Sequence, residues 1–213
     1  MDRADVVHAP VPRGKAKRMQ QVLSAAESSI RSSGDVSFSM RALAADAEVA
    51  FKTPFNLFGS KDNVLYALLK SRLAAQAARL DDLLDADDAL AALFGIASES
   101  CDAYVADAEL YRPILNALGV RINTSLRARA TELWRSGVDA CEADGLLLAR
   151  APVPKLATRL QVTFATSLLV WAGGHLTDDE LRTQVAIGVV VCLRGHLSER
   201  GEALIDEYLR GLC

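Results

Sequence analysis

The chain has 213 residues, of which 51% are hydrophobic and 24% are charged. This balance is typical of a globular protein and excludes disorder of the whole chain. The net charge of −3 argues against a protein coated in nucleic acid, but the charge is uneven. Residues 13–70 hold nine basic and five acidic side chains, whereas residues 71–213 hold fourteen and twenty. A basic first third on an acidic remainder is compatible with a local DNA-binding face.

Several classes of protein do not fit the sequence. The four cysteines are far apart, with no CxxC pair and no histidine at metal-ligand spacing, so we expect neither a metal site nor a disulfide framework. Residues 1–12 lack the apolar segment of a signal peptide, and the most apolar run, 162–176, is too short to span a bilayer. No nucleophile elbow, phosphate-binding loop or zinc-protease motif is present. We therefore expect a cytoplasmic protein that is not an enzyme and needs no cofactor.

Helical patterns dominate the chain. Alanine and leucine are abundant, aromatic residues make up 6%, and no run alternates as a strand does. The sequence predicts an all-α protein of nine or ten helices. We divide it into a flexible arm at 1–12, a three-helix domain at 13–60 and a larger helical domain at 61–213.

The 13–60 segment predicts three helices in a compact order. Apolar residues at helical spacing from Met19 to Ile30 mark the first helix. Ser39 stands at the N-cap of a short second helix that ends near Glu48. A third, shorter helix is expected at about 53–58, followed by Ser60 as the cap of a long helix.

Two short helices joined by a tight turn and braced by a preceding helix form a helix-turn-helix, whose second short helix enters the major groove of DNA. Asn56 can read an adenine edge, and Lys52 and Thr53 suit phosphates. The basic residues before the first helix can follow the DNA backbone or enter the minor groove. The predicted DNA contacts are Arg13, Lys15, Lys17, Arg18, Ser39, Arg41, Lys52, Thr53, Pro54, Phe55, Asn56 and Lys61.

The stretch from Ser39 to Leu65 resembles the DNA-binding signature of the tetracycline-repressor (TetR/AcrR) family. The resemblance is carried by S-M-R-A-L-A, then by A-E-V-A-F-K-T-P-F-N-L-F-G-S-K-D-N-V-L. It includes the Phe-x-Ser-Lys element and the threonine of the recognition helix at the family's spacings.

The sequence departs from that signature at five positions. The turn glycine is replaced by Glu48, the serine cap by Ala50, a tyrosine hydroxyl is missing at Phe55, and a histidine is replaced by Leu57. Pro54 is also unusual, because proline disfavours helical geometry at the preceding residue. We therefore predict that the recognition helix begins with Thr53 as N-cap and Pro54 at the first helical position.

For the larger domain, the resemblance implies a ligand cavity in the middle helices and a dimer interface from two late helices. Apolar walls with a few polar groups suit such a cavity. The predicted ligand-binding residues are Tyr104, Tyr111, Trp134, Phe164, Ser167 and Trp171; each could instead be an ordinary core residue. The predicted dimer helices are 154–174 and 180–195, the second of which is apolar nearly all round; alternatively, it is the central helix of a monomer.

Taken together, the resemblance implies a ligand-responsive repressor. A homodimer would bind a pseudo-palindromic DNA operator and be released by a small apolar or aromatic effector. The alternative is a dimeric helical small-molecule-binding protein whose DNA reading is weakened or altered, as the residues at positions 48, 54 and 57 suggest.

Overall fold

The structure is a computed structural model that describes residues 13–74, 80, 88–119 and 124–212. The predicted arm at 1–12, the later part of the predicted long helix and Cys213 lie outside these residues. So does the side chain of Arg13.

The described residues form ten α-helices, which confirms the all-α prediction. Their bounds are α1 Arg13–Ser33, α2 Met40–Asp46, α3 Thr53–Phe58, α4 Lys61–Ala74, α5 Ala89–Val105, α6 Ala108–Leu118, α7 Thr124–Ala143, α8 Val153–Ala172, α9 Asp178–Leu193 and α10 Glu199–Leu212. Within the described ranges the only strand-like feature is an isolated bridge between Leu147 and Leu197.

The chain divides into two compact units, Met1–Leu68 and Leu69–Cys213. We call their described parts the head and the body. Ten helices lie within the predicted number, and α4 starts in the head and ends in the body.

The head is held together by the apolar stripe of α1. Val22, Ala26 and Ile30, at i, i+4 and i+8, are fully buried, and α1 packs against both α2 and α3. Leu43 of α2 and Phe58 of α3 complete this small core. A unit of this size can bury enough apolar surface only if its three helices share one core. The packing of α2 and α3 on α1 therefore fixes the turn that joins them.

The body is built around α8, which packs against α6, α7 and α9, while α5 packs against α7 and α9. Trp134 and Trp171 are its largest fully buried side chains. At Gly188 of α9 a Cβ atom would lie 2.5 Å from the Cγ2 of Thr163 on α8. The absence of a side chain at this glycine therefore lets α8 and α9 approach closely.

One polar cluster ties three body helices together. The indole N–H of Trp171 donates to Asp178 at 2.7 Å, and the Arg112 guanidinium reaches the same carboxylate oxygen at 3.2 Å. Arg112 also stacks over the Trp171 ring, with 4.4 Å between its Cζ atom and the ring centroid. These contacts join the end of α8 to the start of α9 and to α6.

Among the described helices, none is by itself both long and apolar enough to cross a bilayer. Only α5 and α6 taken together, across a 97° bend, meet that test of length and composition.

Burial raises the pKa of the Cys101 thiol to about 12 and that of Cys141 to about 12, so both thiols stay protonated near neutral pH. The described side chains contain no cluster of three or more potential metal ligands.

Candidate nucleic-acid interface and ligand cavity

The helix-turn-helix begins at a capped helix start. The Ser39 side chain accepts a hydrogen bond from the Ala42 N–H at 3.0 Å, and its extended backbone gives the N-cap geometry predicted from the sequence. Ser39 is itself exposed, and Arg41, two positions on, is exposed as well. The cap sets the direction of α2 and therefore of the turn that follows.

The turn after α2 is a Schellman motif with an unusual residue at its centre. The Val49 N–H bonds to the Ala44 carbonyl and the Glu48 N–H to the Ala45 carbonyl, both at 3.0 Å. Glu48 has φ of +52°, and it is the only non-glycine residue with positive φ among the described residues. This left-handed conformation costs a residue with a Cβ atom roughly 1 kcal/mol relative to glycine. The chain makes the predicted turn, but with backbone strain.

The recognition helix α3 has the predicted bounds, but its N-cap was assigned to the wrong residue. Lys52 is the N-cap, with helical φ and ψ of −77° and −11°, and the predicted cap Thr53 occupies the first helical position. The Thr53 N–H bonds to the Ala50 carbonyl at 2.7 Å, which closes a turn directly before the helix. Pro54 then sits at the second position, where its missing N–H would have had no partner within the helix.

The exposed face around α3 combines aromatic, basic and amide side chains. Phe51 is 54% exposed and Phe55 44%, and their rings meet edge to face at 5.9 Å between centroids. The guanidinium carbon of Arg41 lies 6.0 Å from the Phe51 ring centroid. Lys52 and Asn56, which directly follow Phe51 and Phe55 in the sequence, are exposed as well. Basic side chains can neutralise phosphates and an exposed amide can read a base edge, so this face suits DNA better than it suits an apolar partner.

The other predicted DNA contacts lie in different surroundings. Lys15, Lys17 and Arg18 are exposed on the first turns of α1. The Lys61 ammonium lies 5.2 Å from the Phe38 ring centroid and is half-buried. Pro54 is buried, so its ring packs inside the head and has no surface to offer DNA.

The junction between α3 and α4 is closed by three neighbouring residues. Gly59 ends α3 with φ of +76°. The Asn63 side-chain amide donates to the Phe58 carbonyl at 2.7 Å, and the Ser60 hydroxyl accepts from the Asn63 N–H at 3.2 Å. The predicted capping role of Ser60 is therefore confirmed. Asn63 of α4 is therefore bonded both to the end of α3 and to the cap of its own helix.

The body contains a cavity of about 250 Å³. Its wall comes from the end of α4, from α5, from the end of α6, from α7 and above all from α8. Most of the wall is apolar and includes Leu69, Leu115, Phe164 and Leu168. None of the described wall residues is acidic, basic or a histidine.

Two of the six predicted ligand-binding residues, Tyr104 and Phe164, lie in this wall. Burial raises the pKa of the Tyr104 phenol, with neighbouring Tyr111 as a smaller cause, so the hydroxyl is neutral near pH 7. The Tyr104 ring centroid is 4.9 Å from that of Tyr111 and 6.2 Å from that of Phe164. The ring centroid of Trp134 lies 5.8 Å from that of Phe164, so Trp134 belongs to the same group of packed aromatic rings.

The other four predicted residues lie outside the wall of this cavity. Tyr111 and Trp134 pack against the wall residues Tyr104 and Phe164 through their rings. The Ser167 hydroxyl bonds back to the Thr163 carbonyl of its own helix at 3.0 Å. Trp171 is fully buried in the cluster with Asp178. All four are buried residues of the body.

Sequence reasoning missed two polar residues of the wall, the exposed Thr166 and the buried Gln161. Gln161 is the more informative of the two. Its side chain is 8% exposed, and its Oε1 atom is buried without a hydrogen-bond partner among the described residues. An unpaired buried amide oxygen costs about 1–3 kcal/mol. The available signal was a glutamine at i−3 from Phe164 and i−7 from Leu168, on the apolar stripe of α8.

A second concavity, of about 760 Å³, lies on the head between α1 and the turn after α2. It is a broad groove whose lining is mostly serine and glutamine, with Lys17, Asp46 and Glu48 at its edges. Such a surface has few apolar walls to enclose a small molecule. The body cavity is therefore the better candidate for a ligand site.

Comparison with known proteins finds similar folds among solved structures. No protein-family model matches the sequence, and no curated protein matches it. Among solved structures, the FadR repressor of Thermus thermophilus, a TetR-family protein in complex with lauroyl-CoA, is similar with a TM-score of 0.71 and 19% identity over 85% of this chain and 96% of that one.

Two further structures agree. A TetR-family transcriptional regulator from Pectobacterium atrosepticum has a TM-score of 0.66 and 20% identity, over 89% of this chain and 99% of that one. SmeT, the repressor of a multidrug efflux pump of Stenotrophomonas maltophilia, has a TM-score of 0.64 and 16% identity, over 85% and 91%. The chain therefore has the fold of TetR-family transcriptional regulators, as its resemblance in sequence implied.

Proposed function

We propose that the protein is a ligand-responsive, DNA-binding transcriptional repressor that acts in the cytoplasm as a homodimer on a pseudo-palindromic operator. The observation that carries the proposal is the head: a capped α2, a Schellman turn and a short α3 that exposes Lys52 and Asn56. The fold shared with TetR-family regulators supports it.

In this proposal α3 enters the major groove. Asn56 hydrogen-bonds a base edge, while Arg41, Lys52 and the basic residues at the start of α1 bind phosphates. The edge-to-face pair of Phe51 and Phe55 provides apolar contact with sugars or thymine methyl groups. Each neutralised phosphate releases counterions, so affinity falls steeply as salt rises.

The homodimer is supported by apolar side chains on the body surface. Apart from Phe51 and Phe55, the exposed large hydrophobic residues of the described chain are Val162 and Val170 on α8 and Ile187 and Val191 on α9. These two helices pack side by side, so the four side chains share one pair of helices. Exposed apolar side chains on two neighbouring helices favour a self-complementary contact between two copies. Two heads would then bind half-sites about 34–36 Å apart.

The effector would bind in the body cavity and favour one spacing of the heads over another. The coupling free energy is the difference in effector affinity between those two states. The bonds that Asn63 and Ser60 make around the junction of α3 and α4 offer a route by which α4 can carry this change.

DNA binding is tested by selecting a site from random duplex DNA with the full-length protein and titrating the selected duplex with salt. We expect a palindromic site whose affinity falls about ten- to a hundredfold on Asn56→Ala, since a bidentate base contact contributes about 1–3 kcal/mol. Lys52→Ala should weaken all duplexes alike and reduce the salt slope by about one. Lys70→Ala, which removes the same charge from an exposed position in the body, is the matched control. Selection of no site at low salt would contradict the proposal.

The dimer is tested by light scattering on purified protein. A lysine at each of two neighbouring apolar positions, Ile187→Lys with Val191→Lys, should convert dimer to monomer because charge is disfavoured at an apolar interface. Glu207→Lys introduces a lysine at an exposed position on α10 and should leave the dimer intact. A wild-type protein that is monomeric at micromolar concentration would refute this part of the proposal.

One observation favours the second candidate, a dimeric helical small-molecule-binding protein with weakened DNA reading. Glu48 places a strained, exposed carboxylate in the turn beside the recognition helix. A negative charge there opposes phosphate binding. Tight binding of a ligand by a dimer that selects no DNA site would favour this candidate.

A further inference from the structure

The body cavity has one buried polar atom that no protein group satisfies. Gln161 Oε1 is buried and accepts no hydrogen bond from the described residues, although the Gln161 side chain forms part of the cavity wall. Buried polar atoms in folded proteins are nearly always paired, so an unpaired one in a cavity wall points to a ligand group. Its neighbours on the same stripe of α8, Phe164 and Leu168, are apolar.

We propose that Gln161 is the specificity-determining residue of this cavity and that it selects neutral, mostly apolar ligands carrying a hydrogen-bond donor. The proposal rests on the proposed function of the body as a ligand-binding domain. On ligand binding, a rotation of the Gln161 side chain brings Oε1 out of the wall to accept a hydrogen bond from a hydroxyl or N–H group of the ligand, and the leucine and phenylalanine side chains of the wall cover the apolar part of the ligand.

The wall also explains why the ligand is neutral. The described wall residues include no ionisable group other than the Tyr104 phenol, and burial keeps that phenol protonated. A charged ligand group would lose its hydration without gaining an opposite charge. A neutral donor loses less hydration and satisfies the amide oxygen.

The size of the cavity narrows the class further. A volume of about 250 Å³ holds on the order of ten water-sized groups, taking roughly 30 Å³ for each. It is below the range of about 300–1,000 Å³ that is typical of drug-sized ligands. One or two fused rings with a single donor therefore fit this site.

The hydrogen bond can be isolated with matched probes. Indole and 2-naphthol each carry one donor on a bicyclic ring, and benzothiophene and 2-fluoronaphthalene have similar shapes without it. Binding is measured by calorimetry on full-length protein in the absence of DNA. We expect each donor probe to bind about tenfold more tightly than its donor-free partner, a ratio equivalent to about 1.4 kcal/mol. The charged analogue 2-naphthoate should not bind.

The decisive variant is Gln161→Leu, which is close to volume-conserving. It should bring the binding ratio between the members of each pair close to one. It should also raise Tm by a few degrees in the absence of ligand, because an unpaired buried oxygen is removed. Thr158→Val, which removes an exposed hydroxyl from the same helix at a position outside the wall, is the matched control and should leave the binding ratio unchanged.

The outcomes separate this proposal from the proposed function. A ratio near one in the wild type, or one that persists in Gln161→Leu, would overturn the role of Gln161. A lower Tm for Gln161→Leu would also overturn it, by showing that the amide is already satisfied within the fold. Because binding is measured without DNA, failure to select an operator would leave the result for Gln161 intact, and an operator could be found even if Gln161 has no role.

Discussion

The head and the body expose large apolar side chains in contrasting surroundings. In the head, Phe51 and Phe55 are near Arg41, Lys52 and Asn56. In the body, the exposed valine and isoleucine side chains share one pair of helices, α8 and α9. Apolar groups mixed with cations and amides suit a polyanion, whereas an apolar surface shared by two packed helices suits a second protein surface. We therefore expect the neighbours of an exposed hydrophobic residue, rather than its exposure alone, to indicate its partner.

The two regions also differ in how they are stabilised. The head has a small apolar core and carries a strained turn at Glu48, while the body is stabilised by large buried aromatic side chains. Substitutions in the two regions should therefore differ in size and in the probe that detects them. Both tryptophans of the chain, Trp134 and Trp171, lie in the body, so tryptophan fluorescence reports on the unfolding of the body alone.

The largest effect is expected in the body. Trp171→Ala should lower the free energy of unfolding by about 3–5 kcal/mol, because it opens a large cavity and leaves Asp178 and Arg112 without the indole between them. Urea unfolding followed by the fluorescence of Trp134 measures it. Trp171→Phe keeps most of the ring but loses the N–H, and it should fall between wild type and alanine. An alanine variant as stable as wild type would contradict the view that large buried aromatic side chains stabilise the body.

An intermediate effect is expected at the strained turn of the head. Glu48→Gly should stabilise the protein by about 1 kcal/mol, since glycine adopts positive φ without a Cβ clash. It should also strengthen DNA binding by removing a carboxylate beside the recognition helix. Circular dichroism, which detects both units, and a DNA titration measure the two effects.

The control for that variant is Asp46→Gly. It removes the same charge from an exposed position in the last turn of α2, and it should destabilise the head by about 1 kcal/mol, as glycine does inside a helix. If both glycine variants changed stability in the same direction, backbone strain at Glu48 would not be the cause.

The smallest effect is expected at the start of α9. The Glu180 side chain accepts from the Thr177 N–H at 2.7 Å, and the hydrogen bonds of this capping box hold the pKa of the exposed Glu180 below its ordinary value. Because the pKa of Glu180 is lower in the folded state, its carboxylate stabilises the fold at a pH above the unfolded-state pKa. This stabilisation is lost as the pH falls through the folded-state pKa.

The stability of wild type should therefore fall slightly more steeply than that of Glu180→Gln as the pH falls below about 4.3, the ordinary pKa of a glutamate. Parallel urea titrations of the two proteins across the acidic range measure this difference. Identical slopes would mean that the capping carboxylate contributes no pH dependence. Thr177→Ala, which removes the other half of the capping box, should cost about 1 kcal/mol at neutral pH.

The sequence predicted much of the head. The stripe on α1, the cap at Ser39, the need for an unusual turn residue at Glu48 and the cap at Ser60 follow from short-range patterns, and the structure shows each of them. The bounds of α3 were predicted, but its N-cap is Lys52 and not Thr53. The cap position depends on the hydrogen bond from Thr53 to Ala50, which propensity alone does not reveal.

The sequence predicted less of the cavity. Tyr104 and Phe164 were placed in the wall, but Ser167 and Trp171 proved to be core residues whose polar groups bond elsewhere in the chain, and Gln161 was missed. A residue type shows what a side chain can bind, but the packed neighbours decide whether that capacity is still free.

By itself, the sequence determined the helical class of the protein, the three short helices of the head and the caps between them, because these features depend on residues within a few positions of one another. Only the tertiary structure decided which aromatic residues line the cavity and which polar atom of its wall remains unpaired. Those properties depend on contacts between helices far apart in the chain, such as the one between Trp171 on α8 and Arg112 on α6. Helical periodicity shows which face of a helix is buried, but it does not identify the partner that covers that face.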